Sequence, residues 1–524
     1  MIKATKLFCR AQRNWNYIQK KIRTGNSELL KLNIISSCNR SLETLSESSG
    51  NNNQKMDFLK LNDYDCVGFD LDHCLASYDI TNLVRFEFEL LSKFMVEQRG
   101  WDNSLNDPLL DADIDFMQKG LVLDFDGGNI LKLRSDGSIF RASHGTKLMT
   151  QEELEKKYPH GRWKEASALA EDSLKVWNGP ASLKVRSLLD YFDMPVSLVF
   201  ARAVDACDRK GKIEGNYNIW PDILDGLTYM FDMNRIETNK GGYFSELKNH
   251  PEKYINRNNP RMIDWIRELK RQKFTFLITG AYAHCADLVA TAALGNNWRE
   301  LFDIVVCYAK KPGFFTDQRP FLKLSGTQEV EAVEPGLLMR GEVYSRGNWR
   351  ELEEFFCQET KKHSPKCLYF GDNVIQDIYS PCTATKCDTI AISEELMAEG
   401  MVNKDFIYPH KKILTSQIWG SYFSEETTGV VNPTLWCHII KKSSRLCVPS
   451  MDFVVVDDFD REYKCSAGNA GAAFGFYPAE PLSMKMSSDK KIDPEYKNDS
   501  YNSGNHEPTE EFIEKPQQDQ QNDI

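Results

Sequence analysis

The stretch Cys66-Val67-Gly68-Phe69-Asp70-Leu71-Asp72-His73-Cys74 decides the fold. Four apolar residues make a short strand, and two carboxylates stand two apart directly behind it. In a continuing strand Asp70 and Asp72 would point to opposite faces. They can converge only if the chain leaves strand geometry at once, beyond the edge of a sheet. The same grammar recurs downstream. Phe274 to Ile278 runs into Thr279-Gly280, and Ile304 to Tyr308 leads to Lys310-Lys311-Pro312. Cys367 to Phe370 runs into Gly371-Asp372, with Asp377 soon after, and Thr389 to Ile392 is a further short apolar run.

Helical patterns separate these strands. Met262, Ile263, Ile266 and Leu269 share one face, and Ala283 to Leu294 and Leu352 to Thr360 read as helices. Apolar strands alternating with helices predict an α/β fold: a parallel sheet with right-handed crossovers and helices on both faces. Ligands of such sheets bind outside the carboxyl ends of the strands, where each polar residue just named lies.

Residues 96 to 254 interrupt the alternation. Leu121 to Leu123, Asn129 to Leu133 and Ser138 to Phe140 are strand-like, joined by Asp126-Gly127-Gly128 and Asp136-Gly137 as hairpin turns. Val185 to Phe192 and Leu198 to Ala206 read as apolar helices. A mixed α+β insertion after the first strand would hang over the ligand end as a cap and exclude water. The expected plan is a catalytic core from 56 to 95 and 255 to 415, the cap between, and a C-terminal extension from 416 to 480 packed on the core. A basic, mostly disordered leader covers 1 to 55 and a disordered polar tail 481 to 524.

The net charge of −11 makes nucleic acid an unlikely partner. No apolar run approaches the roughly 20 residues that span a membrane. The fourteen cysteines show no zinc ladder and read as reduced, mostly buried thiols of an intracellular, cytoplasmic protein. The leader is basic and acid-poor, which makes mitochondrial import the alternative to a plain basic extension. Oligomeric state is not legible.

Two carboxylates at one strand end can divide two tasks. One attacks phosphorus and becomes an aspartyl-phosphate; the other protonates the leaving oxygen and later takes a proton from water. Asp70, Asp72 and Asp372 together supply oxygen donors that suit octahedral Mg²⁺. Lys311 can hold phosphoryl oxygens as a point charge, and the Thr279 hydroxyl with the Gly280 backbone can donate to them at a helix N-terminus. Singly, each feature has a plain reading: a solvated DxD pair, surface lysines, a helix cap, a turn. In this order, each at a strand end, they form a stronger signal. A receiver domain fits one small unit without a large insertion, and a glycosyltransferase DxD predicts no later Thr, Lys and Gly-Asp.

The order Asp70-x-Asp72, Thr279, Lys311, Gly371-Asp372…Asp377 resembles the haloacid dehalogenase superfamily of phosphatases, and within it the cytosolic purine 5′-nucleotidase branch. Phe69 to His73 with Leu75, Gly120 to Asp124, Gly128 to Lys132, Arg141 to Lys147, Lys311 to Phe315, and Tyr369 to Asp372 with Asp377-Ile378 carry the resemblance, which runs from about Asp65 to Tyr477. It implies Asp70 as nucleophile and Asp72 as general acid/base, the latter also giving Mg²⁺ a backbone carbonyl. It further implies Thr279 and Lys311 on the phosphoryl group, Asp372 on Mg²⁺, and Asp377 supporting that site. Lys311 is preferred over Lys310 because it directly precedes the proline.

Three features depart from the pattern. Cys74 stands where Thr or Val is usual. Thr279-Gly280-Ala281 replaces Thr-Asn-Ser and loses side-chain donors. Leu224, Thr228 and Phe231, on a helix from Asp222 to Phe231, stand where polar readers of the purine would be. The expected function is an Mg²⁺-dependent 5′-nucleotidase acting on nucleoside 5′-monophosphates. The alternatives are the same chemistry on another small phosphomonoester, or a non-catalytic regulatory or scaffold protein of the same fold.

Overall fold

The computed structural model describes residues 58–211, 215, 217–232, 242–400, 408–427, 430–466, 468–472 and 474–488. The expected leader, and most of the expected tail, lie outside them. Nine strands form the main sheet. In chain order they are β1 (Cys66–Phe69), β2 (Phe274–Ile278), β3 (Ile304–Cys307), β4 (Phe321–Ser325), β5 (Gln328–Ala332), β6 (Val343–Arg346), β7 (Cys367–Gly371), β8 (Asp388–Ile392) and β9 (Leu446–Val448). Their spatial order is β5-β4-β6-β3-β2-β1-β7-β8-β9. From β6 to β9 every neighbouring pair is parallel. The strand bearing Asp70 is thus central, with β2 and β7 on either side.

Burial on both faces explains why β1, β2 and β7 are largely apolar. On one side Val67, Phe69, Leu277 and Phe370 pack with Trp265, Ile266 and Leu269 of the helix Pro260–Gln272 and with Ala286 and Val289 of Ala283–Leu294. On the other, Phe276, Ile278 and Tyr369 meet Leu352 and Phe356 of the helix Trp349–Thr360. Gly68 is required here. A Cβ at that position would lie 1.9 Å from the Phe276 ring, which is itself stacked near Tyr369 and Phe356.

The insertion leaves and returns at one joint. Tyr78 bridges Ile255, Asp79 N donates to Tyr254 O at 2.9 Å, and Asn256 N to Ser77 O at 3.0 Å. This joint lies earlier than the expected boundary at 95, because the helix Ile80–Arg99 buries Ile80, Val84, Phe88 and Leu91 against the helix Met194–Arg209 of the insertion. Inside it, Lys147–Leu148, Ile139–His144, Asn129–Leu133, Val122–Asp124 and Val185–Ser187 form an antiparallel sheet in that order. The expected helix from Val185 to Phe192 is wrong. Val185 to Ser187 pairs with Val122 to Asp124 instead, and Tyr191–Asp193 is a single tight turn capped by Asp190. Three paired residues on a sheet edge outweigh an apolar run too short to decide its own period.

Two further differences concern edges. Residues 321 to 346 add the antiparallel pairs β4–β5 and β4–β6, which alternating strand–helix reading did not anticipate. Beyond 416, β9 joins the sheet rather than merely packing on it, and Tyr463–Lys464 pairs with Phe58–Leu59. Leu482–Ser488 is helical, which corrects the start of the disordered tail at 481. Ser483 Oγ donates to Glu399 at 2.6 Å and Met484 packs on a core cluster. Among the described residues no helix is long and apolar enough to cross a membrane.

The tight fit at Gly68 sets an expectation. Gly68→Ala should lower unfolding stability by at least about 1–3 kcal/mol, the cost of overpacking a filled core. A denaturant midpoint unchanged from wild type would show that the Phe276 ring yields freely.

Candidate active site

The chain turns out of β1 immediately. Asp70 N donates to Phe370 O at 2.8 Å, and Leu71 O accepts from Leu75 N at 3.0 Å and Ala76 N at 2.8 Å. This turn separates the two carboxylates. Asp70 faces the neighbouring strand ends, whereas Asp72 Oδ1 accepts from Tyr78 OH at 2.6 Å. The Cys74 thiol lies behind the loop, donating to Phe370 O at 3.5 Å.

Lys311 sits at the centre. Its side chain is 2% exposed, and Nζ lies 2.9 Å from Asp70 Oδ1 and 2.6 Å from Asp377 Oδ1. It also donates to Tyr369 OH at 3.2 Å and Ile278 O at 3.3 Å. Lys310 is placed differently, with its ammonium 5.0 Å from the centre of the Tyr308 ring. Asp377 reaches the site from a turn of π-helix, Val374–Tyr379, whose start is capped by Asn373. That approach needs Gly371, where a Cβ would lie 2.4 Å from the Asp377 Cβ.

Asp70, Asp372 and Asp377 each offer an oxygen within 4.8 Å of the others, and all three are buried. Asp372 Oδ2 has no hydrogen-bond partner among the described residues. A cluster of hard oxygen donors with one unmet suits a small divalent cation. The Asp72 carboxylate lies outside this cluster, turned toward Tyr78, and Asp377 lies within it. Thr279 is fully buried at the end of β2. Its Oγ1 accepts from Ala281 N at 3.0 Å, which leaves the hydroxyl proton available to another acceptor. Open space lies where a Gly280 Cβ would project.

The electrostatics follow from burial. Burial raises the Asp70 carboxyl above its ordinary range; Lys311 opposes this, and Asp377 and Asp72 add to it. Burial also raises Asp72, against the hydrogen bond from Tyr78, and raises Asp372 strongly, reinforced by Asp190 and opposed by Lys119. For Lys311, burial lowers the ammonium, but Asp377 and Asp70 outweigh it and keep the group protonated.

Sequence reading missed several neighbours. Tyr369 OH donates to Ile278 O at 3.0 Å and to Asp377 Oδ1 at 3.2 Å; a tyrosine inside an otherwise apolar strand was the available signal. Lys119 pairs with Glu395 at 3.0 Å with both side chains 2% exposed, and its ammonium lies 4.0 Å from the centre of the Tyr191 ring. Nothing periodic marks it.

The sequence profile of the 5′ nucleotidase family matches residues 55–418. The chain belongs to this family. As a 5′ nucleotidase family member it is similar to 5′-nucleotidase domain-containing protein 1 of Homo sapiens, 33% identical over 453 residues that cover 82% of this chain and 97% of that protein. The Bos taurus protein of the same name is 32% identical over 440 residues, 80% and 95% of the two chains. The similarity to 5′-nucleotidase domain-containing protein 2 of Rattus norvegicus is weaker, 26% over 356 residues, 67% of this chain and 61% of that one. The matched segment contains Asp70, Lys311, Asp372 and Asp377 alike.

Glu87, on the helix beside this site, gives a pH prediction. It is fully buried, and both carboxylate oxygens lack partners among the described residues. Burial first, then Asp190 and Asp193, hold its folded pKa well above the ordinary value. Below about pH 4 folded and unfolded chains both keep the proton. As pH rises past that point the unfolded state releases it and the folded state does not, so stability falls. Glu87→Gln should therefore raise the melting temperature at pH 7 and lose that advantage near pH 4. An equal gain at both would mean that Glu87 is ionised in the fold.

Proposed function

We propose that this 5′ nucleotidase family member is an Mg²⁺-dependent phosphomonoester hydrolase of the haloacid dehalogenase type, with nucleoside 5′-monophosphates as substrates. Family membership supports the nucleotide phosphatase role. The observation that carries the finer reading is the Asp70 carboxylate at the end of the central strand, 2.9 Å from the buried Lys311 ammonium and clustered with Asp372 and Asp377.

Asp70 and Asp372 would hold Mg²⁺, with Asp377 in support and Asp72 contributing through its backbone carbonyl. Bound there, the ion would supply positive charge to offset the charge of the phosphoryl oxygens. The chain's own residues do the rest. Asp70 Oδ attacks phosphorus and the bond to the leaving alcohol breaks, giving an acyl phosphate on Asp70. Lys311 spreads the charge of the phosphoryl oxygens, helped by the Thr279 hydroxyl and the Gly280 backbone N–H. Asp72 gives its proton to the leaving oxygen; its raised proton affinity suits a donor, and Tyr78 fixes Oδ1 so that Oδ2 is the working atom. Asp72 then takes a proton from the water that cleaves the acyl phosphate.

Phosphate release from nucleoside 5′-monophosphates should require Mg²⁺ and vanish with EDTA. Asp70→Asn should leave no turnover. Asp72→Asn should lose about 10²–10⁴-fold, less on an activated aryl phosphate whose leaving group departs unprotonated. Turnover by Asp70→Asn at the wild-type rate would overturn the nucleophile. Mg²⁺ should also raise the melting temperature of the wild type and leave that of Asp372→Ala unmoved; a full shift in the variant would place the ion elsewhere.

A further inference from the structure

The joint through which the insertion leaves and re-enters the core also carries the proposed proton donor. Asp72 opens a tight turn, in which Leu71 O takes the amides of Leu75 and Ala76 and Asp72 pairs with Ala76 as an isolated bridge. The returning chain is laid along this turn. Asn258 Nδ2 donates to Leu75 O at 2.5 Å, Asn256 N donates to Ser77 O at 3.0 Å, and Ile255 bridges Tyr78. Asn258 is anchored in its turn, its N donating at 3.0 Å to Ala293 O in the helix Ala283–Leu294. Tyr78 is 1% exposed. Its ring is wedged between that of His73, 4.7 Å away, and that of Phe192 from the insertion, 5.6 Å away and edge-on.

A phenol held by its backbone and by both neighbouring rings cannot swing. The 2.6 Å bond from Tyr78 OH to Asp72 Oδ1 therefore fixes one oxygen of a planar carboxyl, and with it the direction of the other. Oδ1 already accepts the Tyr78 proton, so the proton of a neutral Asp72 belongs on Oδ2. Asp72 is only half-buried, unlike the enclosed Asp70 and Asp372. We propose that Tyr78 and Asn258 are positioning residues for the leaving-group proton donor, so that the joint of the insertion is part of the reaction geometry. Tyr78 acts through the Asp72 carboxyl, and Asn258 acts through the turn that carries it. As the bond from phosphorus to the leaving oxygen breaks, the Oδ2 proton passes to that oxygen, and Asp72 is left as a carboxylate still accepting from Tyr78. A proton donor works only within hydrogen-bond reach of the departing atom, and small misplacements slow a reaction steeply. This inference rests on the phosphatase reading above.

The test uses the full chain and two substrates that differ in their need for a proton: a nucleoside 5′-monophosphate, and p-nitrophenyl phosphate, whose leaving group departs unprotonated. Tyr78→Phe should lower kcat on the first by at least about tenfold and on the second by less than about twofold, with KM little changed. Asn258→Ala should move the ratio of the two in the same direction, and it carries the test if melting curves show Tyr78→Phe unfolded. In the double variant Asp72→Asn/Tyr78→Phe the two losses should not multiply, because both remove one function. Equal slowing of both substrates, or a loss that multiplies with that of Asp72→Asn, makes Tyr78 a packing residue and overturns the inference alone. No turnover of either substrate by the wild type overturns the phosphatase reading, and the inference with it.

Discussion

A single ammonium in a buried place organises the core. Lys311 stands between Asp70 and Asp377, and its removal would leave two carboxylates uncompensated where water cannot screen them. Everything near it serves that contact. β1 and β7 must be adjacent so that Asp70 and Asp372 face one another. Gly371 must lack a side chain so that the π-helical turn can bring Asp377 in. Tyr369 must spend its hydroxyl on both Ile278 O and Asp377. Such an arrangement is electrostatically uncomfortable, with three buried carboxylates gathered around one ammonium.

How much of this was legible depends on whether a feature is local. The five parallel strands named from sequence are each a short apolar run followed by a polar residue, and all five are present. Periodicity and strand-end chemistry are local, so they can be read. The strand Val185–Ser187 was misread because its identity comes from the partner edge at Val122 to Asp124. Residues 321 to 346 and 446 to 448 were missed for the same reason: their pairing is decided by the sheet they join. Asp70, Lys311, Asp372 and Asp377, named from motif order, come together in the structure. The placement of the Asp72 carboxylate on Tyr78 was not legible, since it depends on how a tight turn rotates two successive side chains.

The departures from the family pattern now have physical surroundings. Cys74 fills a buried position and spends its thiol on Phe370 O, and burial first, then the carboxylates around it, pushes its proton affinity up. A thiol held protonated is a packing atom, not a nucleophile. Gly280 leaves space beside the buried Thr279. The apolar helix Trp220–Met230 turns Leu224 and Phe231 into wall rather than reader, so whatever discriminates substrates must come from elsewhere around the pocket.

The two ends of the described chain are stitched together: Phe58–Leu59 pairs with Tyr463–Lys464, and β9 closes the edge beside β8. Lys311, Asp372 and the two strands that flank the strand of Asp70 arrive only after some hundreds of residues of intervening chain. During synthesis that first strand therefore waits without either neighbour while the insertion, whose sheet pairs only within itself, is free to fold. Until β9 emerges, the Ile390–Ile392 edge has unmet backbone groups of the kind that recruits foreign strands. For this protein the vulnerable interval in the cell is the time on the ribosome, and long-range strand pairing sets its length.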